Sequence, residues 1–223
     1  MNPLVLFDLD NTLVDRKLTL VEWAASFRER HGLDAAAESW LFALLADRAT
    51  PAHFAEVRDR FGLPESTDAL WNRYCADIAA AVTCPPDVLA GLEELRAAGW
   101  RIGVATNGAT DIQRAKLRTT GIADRVDAVC ISEEAGARKP EPVMFHEAIR
   151  RCTNKHDHHG IDGWMVGDNP VNDIGGGRAS GLCTVWVSRG LAWPDNLPGP
   201  DHHVPDARSA IDLLAALGRA SVV

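Results

Sequence analysis

The chain has 223 residues, 46% apolar and 24% charged; this is a globular composition long enough for a sizeable core, and it excludes disorder as a whole-chain state. A formal net charge of −8 argues against nucleic acid as a main partner, because such proteins carry a basic footprint. No stretch reaches the apolar length of a membrane span, and Cys75, Cys84, Cys130, Cys152 and Cys183 form no C-x-x-C pair, which argues against a disulfide framework or zinc site and for a cytoplasmic protein.

The first predicted element is the strand Leu4 to Phe7, a short apolar run bounded by polar turn-formers. Such a run suits a parallel strand buried on both faces. Asp8 falls where the strand stops, and Asp10 and Thr12 follow in the loop. In open α/β sheets, ligands bind at the carboxyl ends of strands. Two carboxylates there repel each other, and a hard cation such as Mg²⁺ is a reason to hold them together. Alone, the pair reads equally as an Asx-turn and a cap.

From about Leu18 to Val82 the spacing predicts four helices with short connections. Trp23, Trp40 and Trp71 are expected in the core of this helical unit. From Pro85 onward helix and strand alternate. The reading is helix Pro86–Ala98, strand Arg101–Ala105, helix Asp111–Thr120, strand Val126–Ile131 and helix Pro142–Cys152. Strand Gly163–Val166, helix Ile174–Ser180, strand Cys183–Val187 and helix Ser209–Leu217 complete it. Lys155–Gly160 and Trp193–His203 read as loops, and Arg219–Val223 as a frayed tail. The N-terminus enters a strand with no basic region or cleavage site, so no leader is expected.

This alternation predicts an α/β fold with a Rossmann-like parallel sheet. The helical unit is inserted between the first strand and the rest. The expected domains are an α/β core of residues 1–15 and 84–223 and a helical domain of residues 16–83.

Three further loops at strand ends carry polar residues. Thr106-Asn107-Gly108 offers a hydroxyl, an amide and backbone N–H groups ahead of a helix, an arrangement suited to an anion. In Ala137-Arg138-Lys139-Pro140-Glu141-Pro142 two prolines stiffen the backbone around Lys139, a point charge suited to a phosphoryl oxygen. In Gly167-Asp168-Asn169-Pro170-Val171-Asn172-Asp173 two more acids follow a strand. His156, His158 and His159 are possible ligands of a transition metal, but a solvated surface loop fits that spacing better.

The four loops together resemble the haloacid dehalogenase (HAD) superfamily, in order and over the whole chain. FDLDNTLVD is similar to its first motif, VATN to its second, ARKPEPVMF to its third and VGDNPVNDIGGGRASG to its fourth. The inserted helices resemble the family's cap. The resemblance implies a phosphatase in which Asp8 is the nucleophile and forms an aspartyl-phosphate. Asp10 serves as acid and base, its acid form favoured by neighbouring negative charge. Mg²⁺ is implied between Asp8, the backbone carbonyl of Asp10 and Asp168, with Asp173 orienting its waters. Thr106, the Asn107 backbone and Lys139 are implied to hold the phosphoryl oxygens, with Thr12 supporting the loop. The expected substrate is a small phosphorylated metabolite, such as a sugar phosphate or nucleotide, acted on by a monomer or homodimer without nucleic-acid or membrane partners. The alternatives are a 2-haloacid dehalogenase, disfavoured by Asp10, and a catalytically silent regulator, disfavoured because Asp8, Asp10, Lys139 and Asp168 are all present.

Overall fold

The computed structural model describes residues 3–153 and 163–220. Strand β1 (Leu4–Phe7) leads into four helices, α1 (Arg16–His31), α2 (Ala35–Leu45), α3 (Pro51–Phe61) and α4 (Thr67–Ala81). Then follow α5 (Pro86–Ala97), β2 (Arg101–Thr106), α6 (Thr110–Thr119), β3 (Ala128–Ile131), the one-turn α7 (Ser132–Ala135) and α8 (Pro142–Cys152). The chain ends with β4 (Gly163–Gly167), the one-turn α9 (Gly176–Ala179), β5 (Cys183–Val187), β6 (His202–Val204) and α10 (Ala207–Ala220).

The six strands form one parallel sheet in the order β3-β2-β1-β4-β5-β6. β1 is central and apolar on both sides because both its faces are covered. Val5 and Phe7 pack with Leu92 and Leu95 of α5 and Ile211 and Leu214 of α10. Leu4 and Leu6 point the other way, toward Met144, Phe145 and Cys152 of α8. The period-2 alternation of a strand divides four consecutive apolar residues between two cores. The chain leaves β1 for β2 on one side and returns through β4 on the other. The ends of β1, β2 and β4 therefore meet at the point where the winding reverses, the expected place for a crevice.

Helices α1–α4 have their own apolar cluster, which includes Trp23, Phe54, Trp71, Tyr74 and also Ile112 of α6. Tyr74 is the hub: its ring lies 4.9 Å from Trp23 and 5.0 Å from Phe54. Trp71 Nε1 donates to Asp111 Oδ2 at 3.1 Å, tying α4 to the N-terminus of α6. Trp23 and Trp71 are buried, as expected. Trp40 departs from the expectation. It is only half-buried and packs against the cluster from its margin, with the Arg60 guanidinium 4.5 Å from its ring centre, so it carries a cation as well as core contacts.

Several element readings are corrected. The first two residues of β6, His202 and His203, fall at the end of a segment read as loop, because three residues with two histidines carry no apolar run. β6 is an edge strand held by pairing with β5. α7 was not anticipated, and the third strand starts at Ala128 rather than Val126. The helix expected from Ile174 begins inside a wide helical turn, Pro170–Gly175, and is α-helical only from Gly176 to Ala179. α10 runs through Arg219, so that part of the expected fraying does not occur. The histidine loop lies outside the described residues. Among the described residues, no single helix is long and apolar enough to cross a membrane.

Candidate active site

Asp8 extends β1 by one residue, its N–H donating to Val166 O of β4 at 2.9 Å. Pairing of β1 with β2 and β4 thus fixes the direction of its side chain, which is 6% exposed. Asp8 Oδ1 accepts from Lys139 Nζ at 2.5 Å, and the Thr12 hydroxyl lies 3.4 Å from Oδ2. Lys139 Nζ also stands 2.7 Å from Asp173 Oδ1. Asp173 Oδ2 accepts from Asn169 N at 2.9 Å, and Asp168 completes the group. Oxygens of Asp8, Asp168 and Asp173 lie within 4.8 Å of one another.

The electrostatics follow from burial. Desolvation, with the Asp173 and Asp168 charges in support, raises the Asp8 carboxyl despite Lys139. Asp168 is pushed up to about 7, by burial first and Asp173 second. Burial pulls Lys139 down, but the Asp173 and Asp8 carboxylates outweigh it and raise the ammonium. An ammonium this deeply buried is tolerable because it is doubly paired. Three carboxylates against one cation leave a negative excess. Oxygen donors with such an excess suit a hard divalent cation such as Mg²⁺.

Asn107 is expected to present its backbone to a phosphate; its side chain, a separate group, holds the main chain of Lys139: Nδ2 donates to Lys139 O at 3.0 Å and Oδ1 accepts from Lys139 N at 2.9 Å. An amide matching both groups of one residue fixes where Lys139 starts. Gly108 N–H is already given to Ser132 Oγ at 3.0 Å.

Asp10 was expected among negative neighbours, but its neighbours are cations. Lys116 Nζ lies 2.7 and 2.9 Å from its two oxygens, and Arg16 Nε stands 3.9 Å away. Gln113 Nε2 donates to it at 3.2 Å. Burial pushes this carboxyl up, but Lys116 and Arg16 outweigh burial and hold it below its ordinary value. Arg16 also donates to Leu45 O and Ala46 O at 2.6 and 2.5 Å, closing the last turn of α2. Residues 46–49 beyond that turn line a cavity of about 190 Å³ together with Asp8, Thr106, Lys139 and Asp168. Lys116, Gln113 and Arg16 were missed by sequence reasoning. The available signal was the i, i+3 spacing of Gln113 and Lys116 beside Ile112 and Leu117, which puts polar side chains on a buried face.

Gly167 holds Asp173 in place by leaving room for it. A Cβ built there lies 2.3 Å from the Asp173 carboxyl carbon. Gly167→Ala is therefore expected to cost about 1–3 kcal/mol in stability, the usual penalty of overpacking. It should also weaken Mg²⁺ binding. Thermal melts with and without Mg²⁺ check both.

The fold and these four strand ends define a hydrolase class. A family model described as haloacid dehalogenase-like hydrolase matches residues 3–181, and the chain belongs to that family. A phosphoserine phosphatase from Thermus thermophilus is 34% identical over 85% of this chain and 66% of its own length; the chain spans just under two thirds of that relative. A glyceraldehyde 3-phosphate phosphatase from Methanopyrus kandleri is 33% identical over 96% of this chain and 98% of its own. Among solved structures, an HAD phosphatase from Thermococcus onnurineus is 27% identical, with TM-score 0.67 over 96% of this chain and 98% of its own. Solved 2-haloacid dehalogenases share the fold as well.

Proposed function

We propose that this hydrolase is a Mg²⁺-dependent phosphatase of a small phosphorylated metabolite, such as a sugar phosphate or nucleotide, working through an aspartyl-phosphate on Asp8. The observation that carries the reading is the Asp8 carboxylate, pinned at one oxygen by Lys139 and grouped with Asp168 and Asp173 at a cavity floor. The phosphatase relatives support it.

Asp8 attacks phosphorus and the bond to the leaving oxygen breaks, that oxygen taking a proton from Asp10. Asp10 then removes a proton from water, the water oxygen bonds to phosphorus, and the bond to Asp8 breaks. Phosphate leaves, and both aspartates return to their starting states. Thr106, the Asn107 backbone and Lys139 hold the phosphoryl oxygens as charge develops. Asp8, the Asp10 carbonyl and Asp168 would hold Mg²⁺, with Asp173 behind them orienting its waters. When bound, it offsets repulsion between carboxylate and phosphate. The Lys116 pair suits Asp10 as the base; the acid form requires its proton to arrive against that pair. Helices α1–α4, within residues 16–83, act as the cap over the core formed by residues 1–15 and 84–223.

Hydrolysis of p-nitrophenyl phosphate that stops with EDTA and returns with Mg²⁺ tests the proposal. Metal-independent release of halide from 2-haloacids, with no phosphatase activity, would replace it with the dehalogenase reading. Asp10→Asn is expected to slow both chemical steps, by roughly 10²–10⁴-fold. Rapid-quench kinetics with an alkyl phosphate checks this, and normal rates would remove Asp10 from acid and base work.

The raised Asp168 adds a pH prediction. Its carboxyl has an ordinary value of 3.8 and is held at about 7 in the fold. The stability this group contributes is fully present below the ordinary value and is lost as pH rises through about 7. Mg²⁺ competes with that proton. The rise in Tm caused by Mg²⁺ should therefore be larger at about pH 8 than at about pH 5.5, and an equal rise at both would contradict the assignment.

A further inference from the structure

Resting on the phosphatase reading, we infer that Gln113, oriented by Asp10 and the Asn107 backbone carbonyl, fixes the Thr106 hydroxyl as a hydrogen-bond donor to the substrate phosphoryl group. Gln113 and Lys116 stand three residues apart on α6 and are each 1% exposed, whereas Arg114 and Arg118 on the same helix are exposed. Burying an ammonium without a partner is costly. Lys116 meets both oxygens of Asp10. The end of Gln113 that faces Asp10 Oδ2 at 3.2 Å also faces the Asn107 backbone carbonyl at 3.5 Å. A backbone carbonyl only accepts, so that end is the NH₂ and not the side-chain carbonyl.

The same nitrogen lies 2.6 Å from Thr106 Oγ1. An amide nitrogen only donates, so the Thr106 oxygen accepts and its own proton is left for another group. Among the described residues, no protein acceptor takes that proton. Thr106 and Asp8 line one cavity, so the acceptor left for the proton is a phosphoryl oxygen held above Asp8. Gln113 is thus a positioning residue. It touches no substrate and sets the polarity of a group that does. A hydroxyl free to rotate would spend part of its time aimed elsewhere, and preorganised donors are what stabilise charge developing at a reacting centre.

The test is a double-mutant cycle on Thr106→Val and Gln113→Met, read as kcat/KM for p-nitrophenyl phosphate with Mg²⁺ and as inhibition by orthovanadate. In the parent enzyme Thr106→Val should cost about tenfold or more in both, the size of a hydrogen bond to a charged group. In the Gln113→Met background the same change should cost less than about threefold, because the pair is coupled. Equal costs in the two backgrounds overturn the inference, since an amide serving only the core would lower Tm and leave the Thr106 factor unchanged. If melting shows Gln113→Met unfolded, Gln113→Asn, which is too short to reach Thr106, takes its place with the same two readings. A parent enzyme without Mg²⁺-dependent hydrolysis sinks the phosphatase reading itself, a result distinct from equal costs in an active parent.

Discussion

Asp8→Asn is expected to lower kcat by at least roughly 10⁴-fold, the scale of removing a nucleophile, while the protein stays folded. The amide keeps the shape of the carboxylate but cannot form the acyl-phosphate. Stability should hold because the change removes one of three crowded negative charges, Asp8, Asp168 and Asp173. Lys139 keeps its pairing with Asp173 at 2.7 Å. Steady-state rates with p-nitrophenyl phosphate, together with a thermal melt, measure both effects. Activity within tenfold of the parent would exclude Asp8 as the nucleophile.

Lys139→Met should act on both stability and rate. The ammonium is 2% exposed and bridges Asp8 and Asp173. Without it two buried carboxylates face each other and Asp168. Breaking a buried pair in this way costs about 3–5 kcal/mol. The rate should also fall roughly 10²–10³-fold, the loss seen when one preorganised donor is removed from a reacting centre. The two effects separate with Mg²⁺, which should recover part of the melting temperature and little of kcat. Lys139→Arg should not restore activity, because a planar guanidinium does not fit a site built around a point charge. A Lys139→Met enzyme with unchanged Tm and rate would show that this lysine lies outside the machinery.

The readings that held were local ones. Leu4–Phe7 is apolar at every position, and only a strand covered on both faces accommodates that. Asp8 at its end was therefore legible as a strand-end acid, as were Thr106 at the end of β2 as a strand-end hydroxyl and Asp168 after β4 as a second strand-end acid. The limits of α8 and β5 were legible for the same reason: proline, glycine and apolar spacing act within a few residues. What failed were segments held by partners distant in sequence. The strand β6 has no apolar run of its own and forms because β5 presents an open edge. Trp40 has the composition of a core residue, yet Arg60 covers it.

Asp10 shows the same division inside the site. Its position in D-x-D was plain, but its ionisation depends on Lys116, 106 positions away, and on Arg16 in α1. Likewise Asn107 was legible as a strand-end amide, whereas its grip on the Lys139 main chain required the β2 and β3 loops to meet.

By itself the sequence determined the parallel α/β architecture, the inserted helices and the strand-end placement of Asp8, Thr106 and Asp168, because short-range periodicity and backbone geometry suffice for these. Only the tertiary structure decided which charges face each other. It set Lys139 between Asp8 and Asp173 and turned Lys116 and Gln113 inward to Asp10 and Thr106. Coulomb energy and desolvation depend on separations of a few ångströms between residues far apart in the chain, and no local pattern encodes those separations.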